Sequence, residues 1–162
     1  MPRIAITGHM DLSATTVPLV SDALRGRLTE LAAGSEPVVG ISCLAAGADT
    51  VFAETVLEVG GLLEVVLPSA DYRSTQVRSE DAPAFDALVT SASEVHTMQF
   101  PHAGREAYAA ANQYMLSRAD QLIAVWDGRP SPDQGGTAGA VEEARRLGLQ
   151  VTVVWPAGAA RG

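Results

Sequence analysis

The chain has 162 residues, with 11 basic against 19 acidic side chains and a formal charge of −8. All 11 basic residues are arginine, which excludes a Schiff-base lysine, a Walker lysine and a lysine general base. With 47% hydrophobic and 19% charged residues the composition is that of one globular domain, large enough for a real core.

An acidic chain offers no basic stripe to a duplex, so no duplex nucleic acid is expected as a partner. Small anions are not excluded, because helix N-termini bind phosphate through backbone amides. One cysteine, Cys43, cannot form an internal disulfide and fits a reducing compartment. No charged leader and no apolar run of membrane-spanning length is visible, so the expectation is a cytoplasmic protein with no membrane partner.

Short β-branched runs alternate with helical patterns. Residues 3–7 read as a buried strand ending at Gly8. Val17, Val20, Leu24, Leu28 and Leu31 recur at helical spacing, and Gly34 and Pro37 close that helix. A strand over 38–42, a helix over 49–59 and a strand over 62–67 follow. Residues 69–82 form a polar stretch without a pattern. Then come a helix over 83–91 with proline in its first turn, a strand over 94–100, a helix over 105–118 and a strand over 121–126. A glycine pair opens a helix through Leu147, and residues 150–155 form a sixth strand. The spacing predicts an α/β protein, a three-layer Rossmann-like fold with a mostly parallel sheet of about six strands. Residues 1–156 are expected to form one domain and 157–162 a flexible tail.

Ligands in open α/β sheets bind beyond the carboxyl ends of the strands. That rule nominates Thr7, Gly8 and His9 after the first strand, Ala46, Gly47 and Asp49 after the second, and Asp127 after the fifth. Gly135, Gly136 and Thr137 lie between an apolar strand and an amphipathic helix, where exposed amides and a hydroxyl suit a phosphate. The alternative for that glycine pair is a turn that lets helix and strand pack closely. Glu142 lies one helical turn beyond the glycines. Asn112 lies mid-helix, where its propensity is poor, so a ligand contact or a buried hydrogen bond would explain it. His9, His96 and His102 show no metal-ligand spacing, so no metal is expected. A pairing of Cys43 with His9 is conceivable, but a small buried thiol is the simpler reading.

The run Ser42-Cys43-Leu44-Ala45-Ala46-Gly47-Ala48-Asp49 resembles the SxLAxGxD segment of Smf/DprA-type Rossmann domains. Ala124-Val125-Trp126-Asp127-Gly128, followed by Gly135-Gly136-Thr137, resembles the strand and glycine-rich helix start of the same group, and Ile6-Thr7-Gly8-His9 fits its opening. This SLOG superfamily joins Smf/DprA proteins with the "lonely guy" (LOG) phosphoribohydrolases, and the resemblance runs from about residue 4 to 156. It implies binding of a nucleotide or nucleotide-derived small molecule, with no further cofactor and with homo-oligomer formation plausible. Alignment on the LOG signature Pro-Gly-Gly-x-Gly-Thr-x-x-Glu puts its glutamate on Glu142. Gln134 stands at its proline, Ala138-Gly139 at its Gly-Thr pair, and Ala111-Asn112 at its Arg-Lys pair, with Met115 retained. The chain is therefore closer to nucleotide-sensing members than to true LOG enzymes. Asn112 and Asp127 also resemble positions of nucleoside deoxyribosyltransferases.

The leading expectation is a binder whose Gly47, Gly136 and Thr137 amides take phosphate or ribose oxygens. Gly8 would allow close approach, Asp127 and Asn112 would bond ribose or base, and Arg73, Arg78 or Arg105 would close over the anion. The alternative is a nucleoside-monophosphate N-glycoside hydrolase in which Glu142 stabilises the ribosyl centre or activates water.

Overall fold

A computed structural model describes residues 1–34, 36–130 and 136–162. The strands are β1 (Arg3–Gly8), β2 (Val39–Ser42), β3 (Leu62–Leu67), β4 (Glu94–Thr97), β5 (Gln121–Val125) and β6 (Gln150–Val154). The helices are α1 (Thr16–Leu31), α2 (Ala48–Glu58), α3 (Tyr72–Gln76), α4 (Ala82–Ser91), α5 (Arg105–Ser117) and α6 (Gly136–Arg146). One six-stranded sheet runs in the order β4-β3-β2-β1-β5-β6. All five pairings are parallel.

Parallel neighbours require crossovers, and the crossover helices cover both faces. On one face, Val20, Leu24 and Leu28 of α1 and Phe52 and Val56 of α2 pack on Ile4, Ile6, Ile123 and Val125. On the other, Ala111, Met115 and Leu116 of α5 and Val141 and Ala144 of α6 pack on Ala5, Ile41, Leu122 and Ala124. Alternate residues of β1 thus feed opposite layers, as the two-residue strand period demands. A smaller cluster joins Tyr72, Phe85 and Leu88 to Ala53, Leu63 and Val65.

Two segments depart from the sequence expectation. The polar stretch holds α3, a five-residue helix whose Tyr72 is buried. The tail expected to be flexible is tied down. Ser13 N donates to Ala160 O at 3.1 Å, Ala160 N donates to Thr16 Oγ1 at 2.7 Å, and Leu12 bridges Arg161 antiparallel. Arg161 Nε reaches both Asp11 oxygens, at 2.9 and 3.1 Å.

At the amino end of the sheet the charges are paired. Arg3 grips Glu64 with Nη1 at 3.1 Å and Nη2 at 2.7 Å, and donates from Nε to Arg118 O at 2.6 Å. Arg118 stands 3.5 Å from both Glu64 and Glu94. Burial alone would push the Glu64 carboxyl up, but Arg3 and Arg118 outweigh it and hold the pKa below the usual value.

No helix among the described residues is long and apolar enough to cross a membrane.

Candidate functional site

The strand order reverses between β1 and β5: β1 continues to β2 on one side, and β5 continues to β6 on the other. The carboxyl ends of those two strands form the crevice where ligands of open α/β sheets bind. Thr7 pairs with Ala124 and Gly8 with Val125, so His9 and Asp127 emerge side by side. Asp127 N donates to His9 Nε2 at 3.1 Å, and the Asp127 carboxylate lies 3.3 Å from the same nitrogen. Both side chains are largely buried. Asp127 Oδ1 also accepts from Arg129 N at 3.0 Å, and this bond does most to hold its carboxyl below the usual range, with His9 adding to it. His9 therefore pairs with Asp127. Burial pushes the Cys43 thiol up, against a role as nucleophile.

Gly8 and Gly47 have a structural cause that differs from the expected one. A Cβ at Gly8 would lie 2.4 Å from Ala48 Cβ and 2.9 Å from Val125 Cβ, so its bareness lets the first residue of α2 approach the end of β1. Gly47 has φ +78°, and a Cβ there would meet His9 O and Met10 O at 2.6 Å. The close approach that these glycines permit is to protein.

In the loop that leads into α2, and at its first residue, three amides are engaged within the protein. Leu44 N donates to Ser42 Oγ at 3.0 Å, Ala45 N to Asp49 Oδ2 at 3.3 Å and Ala48 N to His9 O at 3.1 Å. Asp49 occupies the first turn of α2, buried at 8% exposure. Burial raises its pKa to about 7 despite the Ala45 amide. A carboxyl there repels a phosphate when ionised and donates a hydrogen bond when protonated. Tyr72 is buried close by, and its own pKa is pushed up by burial and by the Asp49 charge.

On the α6 side, Thr137 is buried in the first turn at 7% exposure, and Gly136 has φ +68°. Gly135 lies outside the described residues, as does Gln134. Glu142 is exposed and lines a groove of about 320 Å³ with Trp126, Gly128, Pro130, Ala138, Val141 and Arg145. Trp126 is fixed by donation from Nε1 to Arg129 O at 2.9 Å. Asn112 is half-buried on α5, and Ala111 beside it is buried against the sheet. Ala46 is half-buried in the loop before α2.

Two of the arginines expected to close over an anion are engaged elsewhere. Arg73 makes a two-pronged pair with Asp86 at 2.7 Å, and Arg78 pairs with Glu80 and Asp81. No three His, Cys, Asp or Glu side chains converge as a metal site among the described residues. Sequence reasoning missed Trp155, Arg129 and Arg161. They line a second groove with Asp127, Ala159 and Ala160, assembled from chain segments that sequence spacing cannot relate.

The molecule superposes on the DNA processing protein DprA of Streptococcus pneumoniae with a TM-score of 0.69 at 17% identity, over 98% of this chain and 52% of that one. DprA of Helicobacter pylori gives 0.69 at 13% identity, over 99% and 68%. The chain shares with them a Rossmann-like α/β fold. The molybdenum cofactor carrier protein of Chlamydomonas reinhardtii shares it, with a TM-score of 0.58 at 17% identity, over 94% of this chain and 75% of that one. The chain spans about half the length of the pneumococcal protein. No protein-family model matches the sequence, and no curated protein matches it.

These likenesses correct the expectation about partners. The Helicobacter protein, which shares this fold over 68% of its chain, has a single-stranded DNA binding mode. Net charge is therefore no ground for setting nucleic acid aside: charge summed over a chain says nothing of its distribution around one crevice.

Proposed function

We propose that this chain is a binding domain for a nucleotide or nucleotide-derived group, held at the carboxyl ends of β1 and β5. The start of α6 receives the phosphate through the backbone at Gly136 and through the Thr137 hydroxyl. One observation carries the reading: α6 packs on β1 and β5, the strands that flank the reversal of strand order, with Thr137 buried in its first turn. The start of α2 is the poorer phosphate site, because Ala48 N already serves His9 O and the Asp49 carboxyl is buried in its first turn. Asp49, Thr7 and Asn112 then serve the sugar or base, Asp49 as a hydrogen-bonding group. The groove beside Trp126 takes whatever extends past the phosphate, with Arg145 at its edge.

The test is thermal unfolding with mononucleotides, dinucleotides, cyclic dinucleotides and short single-stranded oligonucleotides. A ligand at 100 times its Kd stabilises by about 2.7 kcal/mol. Thr137→Val removes the shift while leaving the fold intact. No shift with any of these compounds overturns the reading.

A hydrolytic reading has one observation in its favour, the place of Glu142 in the wall of the Trp126 groove. It requires release of free base from a nucleoside monophosphate, abolished in Glu142→Gln with binding retained. Absence of released base from AMP, CMP, GMP and UMP rules it out.

A further inference from the structure

The second groove lies on the other side of the sheet from α6. Trp155, in its wall, packs with the α1 and α2 cluster, whereas Trp126 packs with the α5 and α6 cluster. Its volume of about 320 Å³ is at the small end of ligand sites. That is room for one sugar- or ring-sized molecule.

The polar groups of this groove are unequal in kind. Arg161 is bound to Asp11 through Nε alone, and its two Nη groups donate to no described residue. Trp155 Nε1 likewise has no acceptor among the described residues, and the ring is held edge-on by His9 at 5.5 Å. Arg129 supplies a second, exposed guanidinium. Against these donors the lining offers one carboxylate, Asp127, whose Oδ1 accepts from Arg129 N and stands next to His9. Donors outnumber acceptors in a chain of charge −8. Such a surface is complementary to an acceptor-rich anion.

The wall that carries Arg161 is also built rather than loose. Ala160 is fastened to Ser13 and Thr16 on both its backbone groups, so the guanidinium is presented from a fixed segment. A pre-positioned arginine loses less freedom when it binds an anion.

We propose that the groove between β5, β6 and the chain's last residues binds a compact organic anion. Arg129 and Arg161 take its phosphate or carboxylate group, and Trp155 takes the body of the molecule. This site is distinct from the nucleotide site proposed at α6, although the two meet in residues 126–130, where Trp126 Nε1 donates to Arg129 O at 2.9 Å.

The two tryptophans separate the two sites. Trp126→Phe leaves Trp155 as sole fluorophore, and Trp155→Phe leaves Trp126. The probes are ribose 5-phosphate and citrate, a phosphate ester and a carboxylate, titrated at constant ionic strength. The expected result is a saturable change in the Trp155 signal with at least one of them. Arg129→Ala and Arg161→Ala each weaken that binding about tenfold, the usual effect of losing a charged hydrogen bond. Asp11→Asn keeps an acceptor for Arg161 Nε while removing a competing charge, so binding stays equal or tightens. No binding of either probe, in the Trp155 signal and in calorimetry of the parent protein with its Trp126 bond to Arg129 O intact, overturns the proposal. So does unchanged affinity in both arginine variants, or Asp11→Asn weakening binding as much as Arg161→Ala, which would make Arg161 only a fastener of the tail. Nucleotide binding read from Trp126 stands or falls separately.

Discussion

The two ends of the sheet use charge in opposite ways. At the amino end, Arg3, Glu64, Arg118 and Glu94 bond to one another across β1, β3, β4 and the end of α5, and the carboxylate between the arginines is held ionised. At the carboxyl end, Asp49 is buried with one amide for company and rises toward neutrality, while Arg161 keeps both Nη groups unengaged by described residues. The charged groups at the amino end close on one another, and those at the carboxyl end leave hydrogen-bonding capacity over. In open α/β sheets ligands bind at the carboxyl ends of the strands, and the difference agrees with the site proposed there.

Removing a partner should therefore cost most at the amino end. Glu64→Ala leaves Arg3 and Arg118 without their common acceptor and should lower stability by about 3 kcal/mol, at the low end for broken buried pairs because Arg3 keeps partial exposure. Urea titration at pH 7 measures it, and a loss like that of an exposed pair would erase the contrast.

The opposite sign is expected for Asp49. Its folded pKa of about 7 lies above the unfolded value near 3.8, so its contribution is fully present below about pH 4 and is lost as pH rises to 7. Asp49→Asn should stabilise the protein at pH 8 by on the order of 2 kcal/mol and flatten the difference from the parent toward pH 4. Melts across that range read it directly. A destabilised variant at pH 8 would mean that the carboxylate is better paired than its burial implies.

The smallest effect belongs to the tail clasp. Thr16→Val removes the acceptor of Ala160 N and should cost about 1 kcal/mol. Hydrogen exchange at Ala160 and Gly162 should quicken while exchange in β1 stays slow. Uniform acceleration would show that clasp and sheet open together.

Where the sequence carried periodic information, fold and sequence agree closely. The stripe Val20, Leu24 and Leu28 lies on the buried face of α1, and the strand over 62–67 is β3 to the residue. The strand beginning at Glu94 ends at Thr97 rather than Phe100, because this edge strand has one neighbour and its ladder stops with β3. Segment 72–76 is too short for a helical period, and its single buried side chain, Tyr72, leaves no pattern. The carboxyl-end rule nominated His9 and Asp127 one by one and the structure sets them side by side, yet nothing in the spacing of residues 9, 127, 155 and 161 joins them. Gly8 and Gly47 were legible as special and misleading about the reason. A missing Cβ looks the same in sequence whether helix or ligand fills the gap.

The position of β1 has a consequence for how the molecule is made. Its edge toward β2 is covered once residue 42 has emerged, but its other edge pairs with residues 121–125. At about 5–20 residues per second of synthesis, that edge waits several seconds longer, and the β2, β3 and β4 neighbours do nothing to shield it. In the finished protein β1 is central and among the most protected strands. On the ribosome it is an open apolar template, and the vulnerability to misassembly is concentrated in the strand that later carries the site.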